Sequence, residues 1–181
     1  MKKLILYIIS VALLMGIACS SDNPVDNGEP EPEPLVNKVW IDFESDSLAT
    51  GEKFAIDVYF ENAEPLTGLV IPLSFEAQNI SVDSISLIGS RFETFEHKGY
   101  ELSNDEMNFQ VYAYSTENEI IDSASGLGFT VYLWVWGNAP AQDFSFDSTF
   151  IAPATHLQFM NEAQQSFTPL FEARTFHIDG L

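Results

Sequence analysis

The chain has 181 residues, 46% of them hydrophobic, with 15 Phe, 6 Tyr and 3 Trp, so it can bury a core without disulfide or metal staples and is not a disordered acidic polymer. Its 27 acidic residues against 7 basic ones give a formal charge of −20, which repels a phosphate backbone and excludes nucleic acid as a partner. The acidity otherwise reads as solubility and resistance to nonspecific association, or as attraction for cations.

The first segment is Met1-Lys2-Lys3 followed by an apolar run from Leu4 to Met15. That run is too short for a bilayer span of about 20 residues but suits the apolar region of a secretory signal. It closes on Gly16-Ile17-Ala18-Cys19, and small residues before a cysteine resemble a bacterial lipobox, with Gly16 where Leu is usual. Residues 1–18 are therefore expected to be a lipoprotein signal peptide and Cys19 the lipidated residue; the alternative is an ordinary secretory signal with a cysteine beside its cleavage site. Cys19 is the single cysteine, so no disulfide within the monomer competes for it. Acyl chains contribute about 0.8 kcal/mol per buried CH₂, and more than one chain gives stable anchoring. Ser20, by resemblance to known sorting rules, implies an outer-membrane lipoprotein, periplasmic or surface-exposed.

Residues 19–35 read as an acidic, Pro-rich tether. The run Glu29-Pro30-Glu31-Pro32-Glu33-Pro34 cannot form helix or a central strand and favours extended polyproline II, at about 3.1 Å per residue.

From residue 36 to 181 the chain changes to apolar/polar alternation, the period of half-buried strands. Val39, Ile41 and Phe43 alternate with Trp40 and Asp42. After a turn at Thr50-Gly51, Phe54, Ile56, Val58 and Phe60 alternate with Ala55, Asp57 and Tyr59. Leu69, Ile71, Leu73 and Phe75 follow, with Pro72 suggesting an edge or a bulge because it lacks an amide proton. Weaker strands are expected at 82–88 and 93–102, then one carrying Met107, Phe109, Val111 and Ala113. The longest is Gly126–Trp136, then Phe144–Ile151 and a closing strand Phe171–Ile178. Turn signals fall at Asn62, Asn104-Asp105, Gly126 and Asn138-Ala139-Pro140, and no segment carries a 3.6-residue apolar period. About nine short strands with frequent turns predict an all-β antiparallel sandwich or barrel.

The order Gly51-Glu52-Lys53-Phe54, Leu66-Thr67-Gly68-Leu69-Val70-Ile71-Pro72-Leu73-Ser74-Phe75, Gly126-Leu127-Gly128-Phe129-Thr130-Val131 and Thr168-Pro169-Leu170-Phe171 resembles cohesin-like domains. The resemblance covers most of the chain past Leu35 and lies in order and spacing rather than in one motif. It implies a nine-stranded jelly-roll sandwich related to carbohydrate-binding modules, and a binding module rather than an enzyme. Its partner would be a dockerin-type protein or a polysaccharide; the alternative is a structural envelope subunit without a discrete ligand.

The candidate ligand strip lies on the long strand. If Phe129, Val131, Leu133 and Val135 fill the core, Tyr132, Trp134 and Trp136 point outward. Cohesin topology would bring Tyr59 beside them and Trp40 one strand further, a platform suited to the C–H faces of sugars. The alternative is that a loop, the tether or the other sheet covers these rings. Tyr112 and Tyr114 form a smaller strip with the same ambiguity.

Catalytic patterns are weak. Among so many acidic residues some carboxylate pair always looks plausible for a glycosidase. His97, His156 and His177 lie far apart with no zinc-type spacing, there is no Gly-x-Ser-x-Gly elbow, and Gly126-Leu127-Gly128 opens a strand rather than a helix. No catalytic residue, metal ligand or cofactor is expected. Structural calcium is left open: Asp42, Asp57, Asn104-Asp105-Glu106 and Asp122 supply hard oxygen donors, but nothing gathers six of them around one point.

Overall fold

The structure, a computed structural model, describes residues 34–104, 106–116, 119–153 and 155–180. The signal segment, Cys19 and the tether as far as Glu33 lie outside the described residues, as does Asp105. The folded unit spans Pro34–Leu181.

Every described element is a strand. They are β1 Lys38–Asp42, β2 Ser47–Leu48, β3 Lys53–Asn62, β4 Leu66–Ser74, β5 Ile80–Ser86, β6 His97–Leu102, β7 Asn108–Tyr114, β8 Ala124–Val135, β9 Gln142–Ser148, β10 Gln158–Asn161, β11 Ser166–Phe167, β12 Leu170–Glu172 and β13 Arg174–Ile178. One sheet has the order β12-β1-β3-β8-β5; the other runs β11-β10-β4-β9-β13-β2, with β7 pairing β4 and β6 pairing β7. The architecture is an all-β sandwich.

Alternation sets which face is buried. Phe129, Val131, Leu133 and Val135 of β8 are all at 0–1% exposure, and they oppose Phe109, Val111, Ile71 and Leu73 of the second sheet in one core. The core is built on phenylalanine: Phe60, Phe92, Phe95, Phe109, Phe129, Phe146, Phe159 and Phe176 are nearly fully buried. No described Tyr or Trp is among the buried residues. Phenolic O–H and indole N–H groups need partners when buried, so those rings are left to the outer faces while Phe fills the interior.

The closing segment divides into β12 and β13, one strand in each sheet, and β2, β10 and β11 are additional to the expected set. Other differences have local causes. The expected strand at 93–102 begins only at His97, because residues 91–94 form turns that drop Phe92 and Phe95 into the open side of the core. Pro72 lies in the central strand β4, neither at an edge nor in a bulge. Its carbonyl accepts from Thr149 N at 3.2 Å, so its nitrogen faces that same side. There β10 pairs β4 only as far as Val70 and β9 only from Leu73, so the missing donor falls in a gap of the ladder. Gly126 marks no turn either. It lies inside β8, where a Cβ would come within 2.7 Å of Arg91 Cδ, and Gly128 is the extra residue of a bulge opposite Val58 and Tyr59.

Candidate functional site

The outer face of the five-stranded sheet carries all five strip residues, but it does not gather them into one platform. Register places Trp40 opposite Tyr59, and the two rings stack at 5.6 Å and 19°. Lys38 Nζ sits 4.9 Å over the Trp40 ring. Tyr132 is opposite Ala55 and Trp134 opposite Lys53, four and six positions along β3 from Tyr59. At about 3.3 Å per residue this separates Tyr59 from the Tyr132 row by about 13 Å. Asp57 and Thr130 fill the interval, joined by a hydrogen bond of 2.6 Å from Thr130 Oγ1 to Asp57 Oδ1. The bulge at Gly128 shifts the β3–β8 pairing by one residue at the Tyr59 end of this interval.

Trp134 and Trp136 form a second group. Their rings meet edge to face at 6.3 Å and 90°, with Trp134 half-buried and Trp136 52% exposed. A cleft of about 500 Å³ opens beside them, lined also by Lys53, Ser81, Asp83 and Glu106. The Asp83 carboxylate is the extra residue of a bulge in β5 and accepts from Lys53 Nζ at 2.7 Å and from Ser84 Oγ at 3.0 Å. These bonds, Lys53 first, hold Asp83 below the ordinary aspartate range.

The outer face of β6-β7-β4-β10 differs in chemistry. Pairing sets His97, Tyr114, Gly68 and Met160 in one row, Gly99, Tyr112, Val70 and Gln158 in the next, and Glu101, Gln110 and Pro72 in a third. His97 stacks flat on Tyr114 at 4.8 Å and 9°. The two glycines make room for larger neighbours: a Cβ at Gly68 would meet Met160 Cε at 3.0 Å, and one at Gly99 would meet the Tyr112 hydroxyl at 2.7 Å. Shallow hollows of about 230 and 250 Å³ flank Val70, one beside Tyr114 and Met160, the other beside Tyr112 and His156. Gln110 donates to Glu101 at 2.7 Å, while its buried Oε1 has no hydrogen-bond partner among the described residues.

The charge contrast between the faces is large. Asp42, Asp57, Glu61, Asp83 and Glu172 stand on the outer side of the five-stranded sheet, whereas Glu101 is the one carboxylate in the rows of the other face. On so acidic a chain, that sparsity sets the face apart. Sequence reading noted Tyr112 and Tyr114 but missed Gly68, Gly99, Val70 and Met160. Their signal is the small outward residue beside a ring, visible only once β6, β7, β4 and β10 are in register.

The remaining candidates are occupied in other ways. His177 Nδ1 lies 2.6 Å from Asp143, far from His97. Asp42 pairs with Arg174 at 3.5 Å, Asp57 is held by Thr130, and the Asp122 carbonyl accepts from Arg91. Among the described residues, no three His, Cys, Asp or Glu side chains are grouped to hold a metal ion.

Comparison of the coordinates with solved structures finds the same sandwich in a chain of the type I OlpA cohesin–dockerin complex of Clostridium thermocellum, at TM-score 0.62 and 13% identity, covering 78% of this chain and 99% of that one. The fold is that of a cohesin. The seventh ScaB type I cohesin of Pseudobacteroides cellulosolvens gives TM-score 0.65 at 10% identity, covering 81% of this chain and 94% of that one. A non-cellulosomal cohesin of the archaeon Archaeoglobus fulgidus gives 0.55 at 14% identity, with 79% and 91% covered. At such identities the likeness is one of cohesin fold alone. No family model matches the chain, and no curated protein matches it in sequence.

Proposed function

We propose that this protein is a lipid-anchored, extracytoplasmic binding module that engages a dockerin-type protein through the outer face of β6-β7-β4-β10. The observation that carries the reading is that face itself. It is nearly free of carboxylates on a chain of charge −20, and it presents stacked His97 and Tyr114, Tyr112, Met160 and two shallow hollows that flank Val70. Aromatic and Met enrichment with charge depletion is the composition of an interface centre. Support for the dockerin class comes from the cohesin fold, several of whose solved examples are in complexes with dockerins. No enzymatic step is needed. Lipidation at Cys19 would tether the module to the envelope, with residues 19–35 as the spacer.

The test is capture by the immobilised full chain from envelope and secreted proteins of its source cell, with calcium or with chelator. The expected result is calcium-dependent recovery of a protein carrying paired EF-hand-like loops. Tyr114→Ala, which removes a ring 44% exposed, should weaken that capture by about tenfold, or about 1.4 kcal/mol. Gly99→Ala should weaken it as well by displacing the Tyr112 hydroxyl. Capture that survives both substitutions, or none at all by folded bait, defeats the reading. The anchor is tested separately: a fatty-acid analogue should label the chain, and Cys19→Ala should abolish the label.

A further inference from the structure

The corner between Trp134 and Trp136 lies on the opposite sheet and has no role in the function proposed above. Two perpendicular indole rings give a floor and a wall. Such a corner presents one π-face and one edge to a flat ligand, a shape the parallel Trp40–Tyr59 stack does not make. Trp136 is half exposed although it is among the largest apolar side chains in the chain, and no described segment covers it.

The polar groups around the corner define the ligand. Lys53 and Asp83 are paired at 2.7 Å and side-chain exposures of 45% and 40%, so the rim offers a donor and an acceptor whose charges cancel. Both bonds to Asp83 go to Oδ2, and Oδ1 takes none from a described residue. The Lys53 ammonium has three protons and commits one of them to Asp83. Ser81 stands in the same cross-strand row as Lys53 and Trp134, adding a hydroxyl. Asp83 offsets Lys53, and Glu106 leaves the rim one net negative charge, which disfavours an anionic ligand. An uncharged ligand with an apolar face and a rim of hydroxyls bonds these groups without breaking the Lys53–Asp83 pair. The depression of about 500 Å³ is open to solvent, so it would receive one face of a ligand rather than enclose it.

From this we infer that the Trp134–Trp136 corner is a binding subsite for a neutral sugar residue of an oligosaccharide or polysaccharide. One pyranose face stacks on an indole while its hydroxyls bond Asp83, Lys53 and Ser81. The subsite and the β6-β7-β4-β10 face are on different sheets, so a glycan and a protein partner can be held at once.

The test titrates the purified full chain with soluble neutral hexasaccharides (β-1,4-linked glucose, xylose and mannose), following tryptophan fluorescence. At least one should give saturable quenching with a Kd of about 1 mM or tighter. Trp136→Ala and Asp83→Asn should each weaken it by about tenfold or more, with unchanged far-UV circular dichroism. Tyr114→Ala should leave it intact, so failure here is distinct from failure of the partner face. Asp83→Asn keeps the side-chain shape and covers the case in which the tryptophan variant does not fold. The inference is overturned if none of the three sugars binds the folded chain, or if binding persists in both variants. A response to a quaternary ammonium probe alone would also overturn it, making the corner a cation site.

Discussion

Arg91 offers the sharpest test of how the face-bearing strands are held. Its guanidinium lies 4.5 Å over the Phe60 ring and donates to Asn62 Oδ1 at 2.7 Å, to Ala124 O at 2.8 Å, to Phe60 O at 3.4 Å and to Asp122 O. One planar fork thus ties the end of β3 to the start of β8, and half-burial lowers the Arg91 pKa, with the nearby Asp122 opposing. In Arg91→Met the carbonyls nearer the surface can rehydrate, but Asn62 is 0% exposed and its Oδ1 is stranded, at about 1–3 kcal/mol. Loss of the cation–π contact adds about 0.5–1 kcal/mol, and relief of the Arg91 desolvation returns part of the total. The expected loss is about 2–3 kcal/mol. At about 3 °C per kcal/mol for a domain of this size, Tm should fall by about 6–9 °C, read by circular dichroism and checked by urea titration. Arg91→Lys should recover little of this, because three donors on a point charge cannot span the same acceptors. A lysine variant as stable as the parent would refute the fork argument, and a methionine variant within about 0.5 kcal/mol of the parent would refute the stranded-acceptor estimate.

Gly128→Ala places a Cβ 3.0 Å from Val58 O and 3.2 Å from Phe60 Cδ1; the first neighbour is backbone and cannot step aside, so a loss of about 1–3 kcal/mol in urea unfolding is expected. The Asp83 carboxyl, its folded pKa depressed by Lys53 and Ser84, contributes stability that is present above the unfolded aspartate value of 3.8 and disappears as pH falls through the lower folded value. An NMR titration should therefore place the Asp83 midpoint below 3.8, moving back upward in Lys53→Met.

Much of the molecule was legible in its residue order. Period-2 alternation identified the cores of the long strands, since a side chain's face is decided by parity alone, and the buried set Phe129, Val131, Leu133 and Val135 follows from it. The short strands were not: β10 buries Phe159 and Asn161 but not Gln158 and Met160, an alternation too brief to separate from a loop. The strip was legible as to face but not as to neighbours. Tyr132, Trp134, Tyr59 and Trp40 do share the outer side, yet whether they touch depends on register, and one bulge residue at Gly128 changes it.

Composition determined what interior this chain can have: abundant Phe without hydroxyls fills a dry core, while Tyr and Trp are left outside. Local patterning determined the all-β class. Only the tertiary structure decided which outer residues meet. Gly68 with Met160 and Lys53 with Asp83 are brought together by pairing between strands distant in the chain and by a bulge, and Gly99 with Tyr112 by the register of the β6–β7 pair. A face is a local property of one strand, whereas a site is a relation between strands.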